Sequence, residues 1–311
     1  MMIFWIILGS ILVFLLILFI VLGIIGYHMI YKRTKEKYCV LKVPNEKFRF
    51  PLSVKERYRE YIQIPCEKVE ILSKRNNHLY GELRRCPLQN SNETKTIILF
   101  SHGFQSSGDN DICLFDYFQL KKYDILVIDH EGCGNSEGRC CGFGVYEQEN
   151  IQLWVEKVNE MYDHKVNIFL HGVSMGSNSV LLCADKKMEN VKGIIGDCGY
   201  ISTFSILRYL TKLSIVAFFV CVFNSFVLRR NILSYSTKKT LGNSLYPILL
   251  FHGEEDTFVP FFMSERNNRY CSTEHKFIPI KKATHAMSYQ TDKVQYEKEF
   301  DGFIDAILNN V

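Results

Sequence analysis

A serine flanked by two glycines is the pattern in this chain best suited to nucleophilic chemistry. Residues 172–176 read Gly-Val-Ser-Met-Gly and directly follow the apolar segment 167–170. This order predicts a strand that turns sharply into a helix, so that the hydroxyl of Ser174 stands clear of both elements. Gly172 and Gly176 would remove the β-carbons that collide at such a turn. By itself, the pattern also fits a turn that carries an incidental serine.

A serine hydroxyl is a weak nucleophile and needs an adjacent base, which an acid then orients. His285 follows the last predicted strand and is the candidate base, although a histidine taken alone is more often an ordinary surface residue. Each acid candidate stands between Ser174 and His285 in the chain; the candidates are Asp197, Glu254, Glu255 and Asp256. Any of these choices gives the order serine, acid, histidine.

Short apolar segments alternate with segments of helical periodicity along most of the chain. The predicted strands are residues 68–73, 78–84, 96–101, 124–129, 166–170, 191–196, 247–251 and 276–280. The predicted helices are residues 112–121, 145–162, 177–187, 261–271 and 293–308. The first two strands, with a turn at Asn76-Asn77, predict a hairpin. The alternation predicts an α/β fold, a mostly parallel sheet with helices on both faces, in which functional residues gather at the carboxyl ends of the strands.

Five motifs in order give the chain a specific resemblance. They are His102-Gly103-Phe104, Gly132-Cys133-Gly134-Asn135-Ser136-Glu137-Gly138, the Gly-Val-Ser-Met-Gly of residues 172–176, the His-Gly-Glu-Glu-Asp-Thr-Phe-Val-Pro of residues 252–260, and Thr284-His285-Ala286. From about residue 67 to 308 the chain resembles α/β-hydrolases of the serine aminopeptidase-like and monoacylglycerol-lipase-like branch, and it is similar to bacterial membrane-anchored members. Glu131, where many relatives have arginine, and Asn150, where relatives often have an acid, depart from the pattern.

The resemblance implies an α/β-hydrolase fold and a Ser-His-Asp triad of Ser174, His285 and Asp256. Asp256 is preferred over Asp197 because the Thr-Phe-Val-Pro that follows it matches the family pattern. The backbone N–H groups of Phe104 and Met175 would then form the oxyanion hole. No metal constellation and no dinucleotide-binding spacing is found, so neither a metal nor a cofactor is expected.

The N-terminal segment 3–30 contains no Asp, Glu, Lys or Arg. It exceeds the roughly 20 apolar residues that span a bilayer and lacks the basic start of a signal peptide, so it predicts a transmembrane helix that anchors the chain. Lys32, Arg33, Lys35 and Lys37 follow it and predict a cytoplasmic catalytic domain. The sequon Asn92-Glu93-Thr94 would favour the opposite side.

These features divide the chain into an anchor over 1–31, a juxtamembrane linker over 32–66 and a hydrolase domain over 67–311. An anchor that is only a tether would leave activity on short soluble esters intact when residues 1–31 are removed. The insertion at about 201–244 occupies the cap position of this fold. Its apolar segment 213–228 is short for a span, and a span there would separate Ser174 from His285 across the membrane. It predicts a cap helix, either dipping into the membrane interface or packed on its own domain.

The composition of the chain argues against nucleic-acid binding, a disulfide framework and a zinc site. The formal charge is +4 without a basic stripe, so nucleic acid is not an expected partner, and the 11 cysteines show no disulfide or zinc spacing. The hypothesis is a membrane-anchored serine hydrolase that cleaves carboxylic esters of lipophilic, small-molecule substrates, with no obligate protein partner. A peptidase, thioesterase or acyltransferase would use the same triad, and a silent binding module or a transport component are hypotheses of other classes.

Overall fold

One mostly parallel sheet organises the chain. The computed structural model describes residues 1–33, 52–86 and 94–309. The strands of this part are β1 Glu67–Leu72, β2 His78–Arg84, β3 Lys95–Ser101, β4 Asp124–Ile128, β5 Val166–Val173, β6 Val191–Asp197, β7 Ile248–Gly253 and β8 His275–Ile280. They pair in the order β1-β2-β4-β3-β5-β6-β7-β8, with antiparallel pairing only at β1/β2 and β2/β4. The predicted hairpin and parallel sheet are both confirmed.

Helices connect the strands and cover the sheet. Within the described residues they are α1 Met2–Gly26, α2 Leu52–Tyr61, α3 Gly108–Ile112, α4 Val145–Met161, α5 Met175–Leu181, α6 Thr203–Thr211, α7 Ser214–Leu228, α8 Thr237–Leu241, α9 Phe262–Tyr270, α10 Ser288–Thr291 and α11 Lys293–Asn309. A π-helical turn, Tyr27–Tyr31, continues α1, and 3₁₀ turns cover Cys113–Phe115, Phe118–Lys121 and Ile232–Ser234. Helices α6 to α8 form the cap between β6 and β7.

The sheet is buried on both faces. On one face Leu99 of β3 packs in a cluster with Trp154 of α4, and on the other Phe100 packs with Phe300 of α11. Strands covered on both sides need apolar residues at every position rather than at alternate ones. This is why β3 and β5 read as continuous apolar runs, and why their polar ends lie at the rim.

The predicted helix over 112–121 is wrong. The chain forms α3 and two 3₁₀ turns there, because Asp116 and Tyr117 adopt left-handed backbone conformations with φ of 51° and 41°. Such angles end a right-handed helix. The predicted helix over 177–187 is also shorter than expected, since α5 ends at Leu181. Both segments combine an apolar periodicity with an irregular backbone.

Part of the predicted linker belongs to the packed structure. Residues 52–61 form α2, whose Val54 and Tyr61 are fully buried in the core. The Arg84 guanidinium lies 3.8 Å from the centre of the Tyr61 ring and donates a 2.9 Å hydrogen bond to its hydroxyl. The folded unit therefore begins before residue 67. Lys35, Lys37 and residues 92–93 of the sequon lie outside the described residues.

The anchor also contacts the domain, although the sequence places it outside the fold. Tyr31 is fully buried, and its carbonyl accepts a 2.8 Å hydrogen bond from the N–H of Cys141. Arg33 donates through its side chain to the carbonyls of Ser136 and Gly134, at 2.6 and 2.8 Å. The π-helical turn that follows α1 and Arg33 are thus held against the loop after β4.

In the described part of the chain, one helix, Met2–Tyr31, is long and apolar enough to cross a membrane. The segments Ser214–Leu228 and Ile232–Leu241 meet this criterion only together, and they are bent by 112° at the break between them. The helical cap structure matches the prediction made from residues 213–228.

The two departures from the family pattern lie side by side. Glu131 accepts a 2.6 Å hydrogen bond from Arg75, and Asn150 accepts one of 3.2 Å from the same guanidinium. Glu149, next to Asn150, binds both Arg75 and Arg230 at 2.8 Å. The exchanged residues therefore take part in one ionic cluster, which links the loop after β4 to the cap.

Candidate active site

Ser174 occupies the sharp turn between β5 and α5. Its backbone has φ 54° and ψ −113°, a conformation that non-glycine residues rarely adopt. A β-carbon on Gly172 would lie 2.3 Å from the carbonyl oxygen of Gly176, and one on Gly176 would lie 2.0 Å from that of Ser101. These backbone contacts leave no room for a side chain, so the glycines permit the strained turn that holds Ser174.

The structure brings Ser174, His285 and Asp256 together from three loops. Nε2 of His285 lies 2.9 Å from Oγ of Ser174, and its Nδ1 lies 2.7 Å from Oδ2 of Asp256. A carboxylate accepts from Nδ1–H, so the imidazole presents an unprotonated Nε2 to the serine hydroxyl. The arrangement can therefore withdraw a proton from Ser174.

The Asp256 carboxylate is buried but well supplied with donors. Its Oδ1 accepts hydrogen bonds from the N–H groups of Phe258 and Val259, both at 2.9 Å. Burial tends to raise the pKa of Asp256, but the electrostatic interaction with His285 and the hydrogen bonds from His252 and His285 outweigh it and hold this pKa well below its usual value. Asp256 thus stays ionised at neutral pH.

Asp197, the alternative acid, has a different partner. Its Oδ1 accepts a 2.8 Å hydrogen bond from Ser288, and its backbone carbonyl accepts one from the N–H of Ser174. Burial raises the pKa of Asp197 to about 6, against an ordinary value of 3.8. The geometry therefore pairs His285 with Asp256, while the backbone carbonyl of Asp197 binds the N–H of Ser174 in the turn.

The loop after β3 approaches the serine from the other side. A β-carbon at Gly103 would lie 3.5 Å from that of Ser174, and both Phe104 and Met175 line the space beside the hydroxyl. His102 lies beneath this loop, where Nδ1 is 2.7 Å from the Gly103 carbonyl and Nε2 accepts from the N–H of His130. Burial lowers the pKa of His102, which suits this neutral, structural role.

Asp111 is a residue of this site that the sequence did not single out. Its Oδ2 accepts a 2.6 Å hydrogen bond from the N–H of Gly103, and its Oδ1 accepts one of 2.6 Å from Ser106. It therefore fixes the loop that carries Phe104. The available signal was an aspartate in the first turn of a short helix after Ser107-Gly108, a position that commonly binds backbone N–H groups.

One group of side chains near the triad has the spacing of metal ligands. Ligand atoms of Cys198, Asp256 and His285 lie within 4.8 Å of one another. Burial, followed by the charges of Asp197 and Asp256, holds the pKa of Cys198 well above its usual value. The His285 and Asp256 atoms of this group already bind each other at 2.7 Å, so the group does not fit a metal site.

A cavity of about 690 Å³ opens beside Ser174 and His285. Its lining includes the loops near Ser174 and His285, the loop after β3, the cap helices α6 and α7, and the C-terminal part of α1 with its π-helical turn, from Leu22 to Ile30. The contribution of α1 is absent from the sequence prediction. A separate surface cavity of about 740 Å³, near Ile64 and Tyr117, contains none of the candidate catalytic residues.

Comparison with known proteins defines the class. A family model described as the alpha/beta hydrolase fold matches residues 96–213. The solved esterase Pf2001 of Pyrococcus furiosus is similar over 80% of this chain and 93% of its own, with a TM-score of 0.60 and 21% identity. The chain therefore has the α/β-hydrolase fold that the five motifs implied.

Two sequence relatives are uncharacterised. The protein YqkD of Bacillus subtilis is 24% identical over 224 residues, which make up 68% of this chain and 72% of YqkD. YNL320W of Saccharomyces cerevisiae, described as a membrane protein, is 21% identical over 217 residues, 69% of this chain and 71% of the relative.

Proposed function

We propose that the chain is a membrane-anchored serine hydrolase that cleaves carboxylic esters of lipophilic acyl groups through an acyl-enzyme. The α/β-hydrolase fold and an esterase among its structural neighbours support a hydrolase. The observation that carries the finer proposal is the pair of short contacts, 2.9 and 2.7 Å, that joins Ser174, His285 and Asp256 beside an apolar cavity.

The reaction begins with proton transfer. His285 accepts the Ser174 proton at Nε2 while Oγ forms a bond to the ester carbonyl carbon. The tetrahedral intermediate then breaks its bond to the alcohol, and His285 returns the proton to the leaving oxygen. Water repeats the sequence with the same base and releases the acid. Asp256 holds the reactive tautomer and stabilises the imidazolium formed in each half.

Negative charge develops on the former carbonyl oxygen in both halves of the reaction. The N–H groups of Phe104 and Met175 are the donors proposed for it, because they flank the cavity beside Ser174. Removing one such donor typically costs about 2.7–4 kcal/mol of transition-state stabilisation. Asp111 would act as a positioning residue, since its hydrogen bond to Gly103 orders the loop that carries Phe104.

The proposed location is a membrane, with the catalytic domain in the cytoplasm. The length and composition of Met2–Tyr31 and the description of YNL320W support membrane attachment. The basic residues 32, 33, 35 and 37 support the orientation. Protease added to intact cells should then spare the domain and cut it only after lysis.

A fluorophosphonate probe tests the central claim. It should label the wild-type protein and fail to label Ser174→Ala, and hydrolysis of p-nitrophenyl esters should be lost in parallel. Ser177→Ala is a matched control, because Ser177 lies three residues after Ser174, is buried and does not line the cavity. Equal labelling of wild type and Ser174→Ala would refute the assignment.

A further inference from the structure

We propose that the membrane helix is itself a wall of the active site, and that Leu22, Ile25 and Met29 bind the acyl chain of the substrate and set its preferred length. The inference rests on the proposed ester hydrolysis at Ser174. It deepens that proposal by naming the substrate class as esters of a long, unbranched acyl chain that lies along the anchor.

The part of the helix that lines the cavity is long enough to contact an extended acyl chain. Both Ile30, near the catalytic loops, and Leu22, further into the anchor, line the cavity that contains Ser174. At 1.5 Å per residue, these two positions are about 12 Å apart along the helix axis. A chain that extends from the serine along this surface would therefore contact the helix over about two turns.

The polar and the apolar groups that line the cavity come from different parts of the chain. Its polar triad groups, Ser174 and His285, belong to the hydrolase domain. The walls contributed by α1, its π-helical turn and α7 consist of apolar residues; they are Leu22, Ile25, Gly26, Met29, Ile30, Val216, Ala217 and Val220. An ester whose carbonyl lies at Ser174 can thus direct a hydrocarbon chain between the anchor and the cap.

Close packing holds the anchor in this position. A β-carbon on Gly23 would lie 2.1 Å from Cγ of Phe223, and one on Gly26 would lie 2.5 Å from a methyl carbon of Val220. The buried amide of Asn224 donates to the Gly23 carbonyl at 3.3 Å. Glycines that allow such close approach are typical of helix pairs in membranes. The wall is therefore built into the structure rather than resting loosely on it.

The length of the helix Met2–Tyr31 predicts the depth of the cavity relative to the hydrocarbon core of the membrane. Met2–Tyr31 has 30 residues, whereas roughly 20 suffice to cross the hydrocarbon core. The surplus of roughly ten residues matches the docked segment 22–31, so the cavity lies where the helix leaves the core. Exposed apolar side chains of the cap, Leu213, Ile215, Phe218 and Phe226, extend the same surface. Acyl chains can therefore enter from the bilayer side.

Two adjacent isoleucines provide a matched test. Ile25 lines the cavity and Ile24 does not, yet they are 48% and 45% exposed and share one helix. In full-length protein, Ile25→Trp should lower the ratio of kcat/KM for p-nitrophenyl palmitate to kcat/KM for p-nitrophenyl acetate by about tenfold or more, the scale of pocket size effects. Ile24→Trp should leave this ratio unchanged. Identical chain-length profiles for the two variants would overturn the proposal.

A binding measurement separates this inference from the proposed hydrolysis. With Ser174→Ala, a palmitic acid bearing a terminal diazirine should crosslink to the peptide containing residues 22–30, and excess palmitate or Ile25→Trp should reduce the labelling. Labelling that neither of them reduces would refute the acyl wall. Because no turnover is needed, this result is independent of whether the fluorophosphonate experiment succeeds.

Discussion

Two buried aspartates lie near Ser174, Asp197 at the end of β6 and Asp256 three residues after the end of β7, and their surroundings shift their pKa values in opposite directions. Asp256 accepts two backbone N–H groups and faces His285, which keeps its pKa low. Asp197 faces the hydroxyl of Ser288 in a fully buried position, which raises its pKa to about 6. Only Asp256 has both the charge and the contact that a triad acid requires.

Substitution of each aspartate by asparagine distinguishes their roles. Asp256→Asn should reduce kcat by up to about 10⁴-fold, because an amide no longer selects the reactive imidazole tautomer. Asp197→Asn should leave kcat within a few-fold, since the amide oxygen can still accept from Ser288. Ester hydrolysis in detergent measures both. A crippled Asp197→Asn with a nearly normal Asp256→Asn would transfer the role of the acid to β6.

The raised pKa of Asp197 also predicts how the folding stability of the protein changes with pH. Because burial raises the folded-state pKa of Asp197 from 3.8 to about 6, the folded state binds this proton more tightly than the unfolded chain. Ionisation of Asp197 therefore costs stability progressively between about pH 4 and 6, by about 3 kcal/mol in all. Asp197→Asn should match wild type in thermal unfolding near pH 4 and exceed it at pH 7. An equal difference at both pH values would contradict this account.

For single residues, the order of residue types in the sequence predicts part of the candidate site, and the rest depends on how the loops fold. Ser174 could be predicted because a nucleophile elbow imposes glycines at fixed spacing. Asp256 could be chosen only by resemblance, since both aspartates follow strands. Asp111 could not be predicted, because its value lies in a hydrogen bond to Gly103 that depends on how the loop folds back.

Among the elements, the contact between α1 and α7 was the least predictable. A helix that is apolar all round carries no stripe to indicate which face docks. The strands, by contrast, were predicted within a few residues, since buried parallel strands produce continuous apolar runs bounded by polar residues. The 112–121 segment was misassigned because left-handed residues such as Asp116 leave no mark in an apolar pattern.

Two glycines of α1 allow the helix contact to be tested. A methyl group on Gly23 would meet Cβ and Cγ of Phe223 at 2.5 and 2.1 Å, close to that residue's backbone, whereas one on Gly9 would meet nothing within 4 Å. Gly23→Ala should therefore lose about 1–3 kcal/mol by overpacking. It should also lower the thermal midpoint by several degrees. Gly9→Ala should be neutral or slightly stabilising. Equal midpoints would mean that α1 and α7 do not pack as described.

At the scale of the whole molecule, the N-terminal segment packs into the same structure as the candidate active site. The sequence led to the expectation that removal of residues 1–31 leaves hydrolysis of short soluble esters intact. The structure changes that expectation, because Tyr31 is fully buried in the cluster that contains Phe143 and Met175. Met29 also accepts a hydrogen bond from Gln105, in the loop next to Phe104.

Two truncations compared in detergent provide the measurement. Removal of residues 1–18 keeps the docked segment and should preserve kcat/KM for p-nitrophenyl acetate within about twofold. Removal of residues 1–31 takes away the buried Tyr31, a core deletion of the kind that costs about 3–5 kcal/mol of folding stability. The loops that Tyr31 and Met29 contact should then be disordered, and kcat/KM for the same ester should fall by about tenfold or more. Equal activity of the two proteins would mean that the anchor serves only to attach the domain.

The π-helical turn at Tyr27–Tyr31 rotates the residues that follow it relative to the face that α1 presents before it. Before the turn, the helix presents Gly23 and Gly26 to the cap; the last residue of the turn, Tyr31, is buried in the core, and Lys32 after it pairs with Cys140. Deleting one residue from this turn would restore a regular helix and rotate everything after it by about 100°. An unrelated membrane helix joined at residue 32 would lack this phase correction. The contacts of this segment therefore depend on the register of the chain through the turn as well as on its hydrophobicity.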